Sequence, residues 1–224
     1  MTSGSKMLAE AIATFALVFV GAGAVIANGM TGGSLGILGV ALAHGLVLMV
    51  MIFSLGHISG THANPAVTIS LVISRKMKPK MGVLYVVSQL AGASIAGFLL
   101  LFAFSPPASL ALGAPALAEG VSMGRGILIE AILTFFLVLA VFGSAIDRKS
   151  ELAGLAIGMV LTFDILAGGF LTGAAMNPAR SFGPALASGF WQNHLVYWVG
   201  PLIGGAIAGL LYSRFLLEGK SDKA

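Results

Sequence analysis

His57-Ile58-Ser59-Gly60-Thr61-His62-Ala63-Asn64-Pro65-Ala66-Val67-Thr68 has a counterpart later in the chain, Met176-Asn177-Pro178-Ala179-Arg180-Ser181-Phe182-Gly183-Pro184. Both carry the triplet Asn-Pro-Ala, at Asn64-Pro65-Ala66 and at Asn177-Pro178-Ala179. Each triplet opens an apolar run, residues 64–73 and 177–188, that falls well short of the roughly 20 residues a helix needs to cross a bilayer. Proline is preorganised for the first helical position, where its missing N–H would have no partner anyway, and asparagine is a strong N-cap. One Asn-Pro alone reads as a turn. Two copies, each heading an equally short apolar run, read as a pair of half-helices.

Six further runs are long enough to span, at about 7–27, 35–56, 81–104, 125–146, 152–170 and 195–217. The chain also repeats itself: Ala9-Glu10-Ala11-Ile12-Ala13-Thr14-Phe15 matches Ile129-Glu130-Ala131-Ile132-Leu133-Thr134-Phe135, 120 residues on, and the triplet recurs after 113. Each half, about 7–104 and 125–217, holds three spans. Three is odd, so the second half is inverted in the membrane relative to the first. Inverted repeats with broken helices place a site at the midplane.

Composition agrees. Of 224 residues 58% are hydrophobic and 9% charged, where a soluble domain carries about 25% charge. The apolar surplus faces lipid. With no cysteine, disulfides, thiol catalysis and thiolate metal sites are excluded, and four histidines without a carboxylate cluster give no metal pattern. No cofactor motif is present. Ser59 and His62 are neighbours, but they lie inside the first signature and do not make an enzyme's nucleophile and base. A net charge of +4 comes from basic residues set between apolar runs, not from a nucleic-acid patch. Lys6, Arg75, Lys76, Lys78, Lys80, Arg148, Lys149, Arg214, Lys220 and Lys223 fall on one side of a six-span topology, against Arg125 and Arg180 on the other. The positive-inside rule then places both termini in the cytoplasm. A short chain without a targeting extension is expected in a prokaryotic inner membrane.

Inversion brings the positive N-terminal ends of the two half-helices together near the bilayer centre. The unwound backbone ahead of them, Gly60-Thr61-His62 and Gly173-Ala174-Ala175, has no partners in lipid and must line a polar cavity. Such a pore offers carbonyl acceptors along one wall and two asparagine amides at its middle. A water held there accepts from both amides and turns its hydrogens outward, so it relays no proton. The helix dipoles add a barrier to cations. The fold class predicted is an all-α membrane protein of six transmembrane helices and two re-entrant half-helices, a single channel domain over 1–224.

These two signatures resemble those of the major intrinsic proteins, the aquaporins and aquaglyceroporins, with coverage from about residue 7 to 217. The resemblance implies a homotetramer with one pore per subunit. It also implies a selectivity filter of four positions, which carry over here as His44, Ile165, Ala174 and Arg180. Water-only members have phenylalanine at the place of His44 and histidine at that of Ile165. The exchange predicts a wider, less symmetric opening, like that of the plant tonoplast intrinsic proteins and their ammonia-permeable mammalian relative. Asp164-Ile165-Leu166-Ala167-Gly168-Gly169 strengthens that link. Ser181, Ala185 and Tyr197-Trp198 stand where glycerol channels carry aspartate, a basic residue and Pro-Leu, and so favour the water-channel branch.

Glu10 and Glu130 are implied by the resemblance to support the unwound segments from behind. His57 is read as lining the cytoplasmic vestibule. His44, if it faces the pore, is expected to make conduction sensitive to pH. For Arg180 the competing role is a salt bridge to Glu119. Asp164 is read as hydrogen-bonded to His44 or loop backbone, or protonated. Gly200, Gly204, Gly205 and Gly209 are read as packing glycines, and Trp191 and Trp198 as interface anchors. The function expected is a passive channel for water in single file and for ammonia, hydrogen peroxide or other small neutral solutes. A glycerol or urea facilitator is the alternative within the family, and a proton-coupled transporter the alternative outside it.

Overall fold

The computed structural model describes residues 1–217; Lys220 and Lys223 therefore lie outside the described residues. Its elements are all helical. Helix α1 (Ser3–Met30), α2 (Gly36–Ser59), the short α3 (Pro65–Ile73) and α4 (Pro79–Phe104) form the first half. The second half is α5 (Met123–Ala140), continued by a π-helical turn over Val141–Asp147, α6 (Ala153–Thr172), the short α7 (Pro178–Ser188) and α8 (Val196–Leu211) with a π-helical end at Tyr212–Leu216. Six of these helices are long and apolar enough to cross a membrane.

Local chemistry sets the ends. The first span starts at Ser3 because the Thr2 hydroxyl accepts from the Ser5 amide and caps it. The second runs to Ser59 and the fifth to Thr172, each stopped by a glycine in the left-handed region, Gly60 and Gly173. These ends overrun the sequence boundaries by a few residues, since glycine C-caps and not the last apolar residue terminate the helices.

Helices pair in the same way in both halves: α1 lies on α4 and α5 on α8, while α2 crosses α6 at the centre. Bare glycine backbone makes each crossing. A methyl at Gly92 or at Gly204 would strike the carbonyl of Ala11 or of Ala131, residues that correspond in the repeat, and Gly45 and Gly158 press on each other's carbonyls. Gly200 and Gly204 thus pack α8 on α5 within one subunit, as the sequence indicated. Large apolar side chains such as Phe98, Phe102 and Phe170 are exposed on the outer surface, the face a bilayer solvates.

Candidate pore

Between the spans the chain unwinds twice, and each unwound loop hangs on one buried glutamate. The Glu10 carboxylate accepts from the Ser59 hydroxyl (2.7 Å), the backbone amides of His62 (2.9 Å) and Ala63 (2.8 Å), and the Gln89 amide (2.8 Å). Glu130 accepts from the Thr172 hydroxyl (2.7 Å) and the amides of Ala175 (3.0 Å) and Met176 (2.7 Å). These N–H groups are buried against the protein interior, where each would cost several kcal/mol unpaired, and the carboxylates remove that cost. Two tyrosines complete the cradle from behind: Tyr85 donates to the Ser59 carbonyl and Tyr197 to the Thr172 carbonyl, both at 2.8 Å. Sequence reading missed this role for Tyr85, Tyr197, Ser59, Thr172 and Gln89. For all but Gln89, whose counterpart 112 residues on is Pro201, recurrence was the available sign, since Ser59 recurs as Thr172 after 113 residues and Tyr85 as Tyr197 after 112.

Thr61, Ala63, Ala174 and Met176 adopt positive φ values of 45°, 48°, 43° and 51°. That strained backbone is what the glutamates hold. The half-helices then begin with their asparagines: the Asn64 side chain accepts from the Ala66 amide, and Asn177 from those of Ala179 and Arg180, with Pro65 and Pro178 in first position. The amide nitrogens cross to the opposite loop, Asn64 Nδ2 donating to the Met176 carbonyl (2.9 Å) and Asn177 Nδ2 to the Ala63 carbonyl (2.8 Å). Each amide has two hydrogens. One is used in this exchange and one is left.

Both asparagines line a cavity of about 550 Å³. It opens among His57, Lys149 and Glu151, passes Gly60, Thr61, His62 and Ala175, and ends at His44 and Arg180. His57 is exposed in its mouth. At the far end Arg180 Nε donates to His44 Nε2 at 3.3 Å, and Arg180 Nη1 donates to the Gly113 carbonyl at 2.7 Å. Those partners, and not Glu119, hold the guanidinium. His44 Nδ1 donates to the Val40 carbonyl at 2.8 Å, so its two nitrogens act as donor and acceptor, the pattern of a neutral ring. The structure thus brings His44 and Arg180 into contact. Ile165 and Ala174, both 3% exposed, pack in the adjoining apolar cluster and do not line this cavity.

Asp164 is buried, and its Oδ2 has no hydrogen-bond partner among the described residues; the expected bond to His44 is not formed, because Val40 and Arg180 occupy that ring. The tryptophans do more than anchor. Trp198 Nε1 donates to His194 Nε2 at 3.1 Å, and Trp191 meets the same ring edge-on at 4.8 Å, with Phe182 alongside. His194 precedes the last span, and burial holds its pKa below the ordinary value.

The chain matches the family model described as major intrinsic protein over residues 1–212. It is similar to aquaporin TIP4-4 of Zea mays, 46% identical over 222 residues that cover 95% of this chain and 87% of that protein. Aquaporin TIP4-1 of Arabidopsis thaliana is 46% identical over 220 residues, 95% of this chain and 86% of the relative. The X-ray structure of the aquaglyceroporin from Plasmodium falciparum superposes with a TM-score of 0.84 over 96% of this chain and 97% of that one, at 24% identity, a likeness of fold. The relatives named TIP come from plants and lend no support to the prokaryotic inner membrane expected from the chain's length.

Proposed function

Since this chain belongs to the major intrinsic protein family and is an integral, multi-pass member of its aquaporin water channels, we propose that its cavity conducts water in single file, passes ammonia, hydrogen peroxide or other small neutral solutes as well, and excludes protons and ions. The observation that carries this reading is the reciprocal exchange of Asn64 and Asn177, which leaves one N–H on each amide for the lumen. A water accepting from both has its lone pairs committed and breaks the proton wire. The half-helix N-termini behind them disfavour cations. Passage needs neither a coupling ion nor a reaction, so this reading excludes enzymatic turnover and proton-coupled transport.

The wider range of solutes follows from the far end of the cavity. His44 and Arg180 meet there, the imidazole standing where a water-only filter carries phenylalanine, while Ile165 and Ala174 lie behind the lining in the adjoining apolar cluster, without the histidine that such a filter has at the place of Ile165. Arg180 supplies donors that replace a solute's lost hydration while its charge repels cations. The protein acts as a homotetramer in lipid, with one pore in each subunit, and both termini face the cytoplasm.

Stopped-flow on proteoliposomes tests this directly. Osmotic shrinkage and internal alkalinisation after an ammonia gradient are recorded in one preparation. Fast shrinkage with protein-dependent alkalinisation is expected. Fast shrinkage alone contradicts the wide filter, and slow shrinkage contradicts the channel.

A further inference from the structure

Gly21 lies buried in the middle of α1. A Cβ built on it has as its three nearest atoms Cδ2 and Nε2 of His44, each at 2.5 Å, and Cε1 of the same ring at 3.0 Å. The imidazole therefore rests on bare α1 backbone. Its nitrogens hold it in that attitude, Nδ1 to the Val40 carbonyl and Nε2 to Arg180. Glycine is a poor helix former, so a glycine in mid-helix calls for a packing reason, and here that reason is one side chain.

The repeat supplies an internal comparison. The residue 120 after Gly21 is Val141, and the residue 113 after His44 is Ile157. Val141 and Ile157 both line the cavity. The half without the imidazole carries a branched side chain at the place of Gly21, and the half with the imidazole carries none.

We propose that Gly21 sets the aperture of the channel: the missing methyl lets the His44 ring lie back against α1, which keeps the lumen beside Arg180 open to neutral solutes other than water. This rests on the reading of His44 and Arg180 as the constriction. A methyl at position 21 has no backbone to push against. It displaces the ring toward Arg180 and the lumen, and the opening narrows. Gly21 is a positioning residue in this scheme and touches no permeant.

The test compares the ammonia-to-water permeability ratio of proteoliposomes bearing the parent, Gly21→Ala, His44→Ala and the double variant. Gly21→Ala is expected to lower the ratio about tenfold, the discrimination that one methyl group commonly carries in a fitted site. The double variant is expected to match His44→Ala, because the ring that the methyl displaces is gone. An unchanged ratio in Gly21→Ala, or a fall that persists in the double variant, overturns the inference. If Gly21→Ala does not assemble, recovery of a monodisperse protein in the double variant supports the methyl-to-ring collision, and failure of both overturns it. Should His44→Ala itself leave the ratio at the parent value, the reading of His44 as constriction fails and the inference with it. Should His44→Ala alter the ratio while Gly21→Ala does not, only the inference fails.

Discussion

Asn64 donates through Nδ2 to the backbone carbonyl of Met176 at 2.9 Å, tying the head of the first half-helix to the unwound loop of the second. Asn177 returns the bond to Ala63. The two halves of the repeat are therefore locked to each other at the centre of the cavity through the groups that face it.

Asn64→Asp exchanges that donor for an acceptor. The Met176 carbonyl loses its partner, at a cost of about 1–3 kcal/mol, and a carboxylate enters the cavity. Two readings check this: a lower midpoint of thermal unfolding in detergent, and a cation leak in vesicles that the parent lacks. A variant as stable and as tight to cations as the parent would show that the exchange matters little.

Glu130→Gln leaves one carbonyl oxygen to serve the Thr172 hydroxyl and the amides of Ala175 and Met176, and turns an NH₂ toward donors. A loss of about 2–5 kcal/mol is expected, since hydrogen bonds to a charged acceptor are among the stronger ones. Hydrogen exchange at Ala175 and Met176 is the local measurement, and faster exchange than in the parent is the expected result. Unchanged protection would detach the glutamate from the loop.

Gly204→Ala presses a methyl into the Ala131 carbonyl. Backbone does not yield as a side chain does, so α8 moves off α5 at a cost of about 1–3 kcal/mol. Gly124→Ala is the control, because its methyl meets nothing within 4 Å, and it is expected to be neutral or to gain up to about 1 kcal/mol from helix propensity. Thermal unfolding of the pair separates the two. Equal midpoints would refute the close crossing.

The chain's two tryptophans both touch His194. Burial lowers the pKa of that ring, so the folded protein favours its neutral form, and the acceptor nitrogen used by Trp198 must be unprotonated. The associated stability is fully present above the unfolded value of about 6.5 and is lost as pH falls through the lower folded value. Tryptophan emission is expected to hold steady from about pH 8 to about 6.5 and to change only below that. His194→Gln should abolish the change. A midpoint above about 6.5 would contradict the burial.

Much of the fold was legible because lipid imposes simple rules on sequence. Six long apolar runs, with two short ones that each open on Asn-Pro, leave little freedom; the match of Glu10 with Glu130 reveals the repeat, and three spans per half make it inverted. What escaped depends on contacts between distant residues. The π-helical ends of the fourth and sixth spans meet through Tyr212 and Asp147, whose hydroxyl-to-carboxylate bond of 2.9 Å joins residues 65 apart. The seat of His44 on Gly21 cannot be read from either residue alone. Asp164 looked like a group in need of a partner, yet the ring expected to serve it is engaged by Val40 and Arg180.

The central claim, that paired asparagine amides pass water and stop protons, is tested most directly by following shrinkage and internal pH together in proteoliposomes exposed to an osmotic step and an acid step. Rapid shrinkage with no proton entry beyond that of empty vesicles is the predicted result. Protein-dependent acidification, or shrinkage no faster than that of empty vesicles, would contradict it.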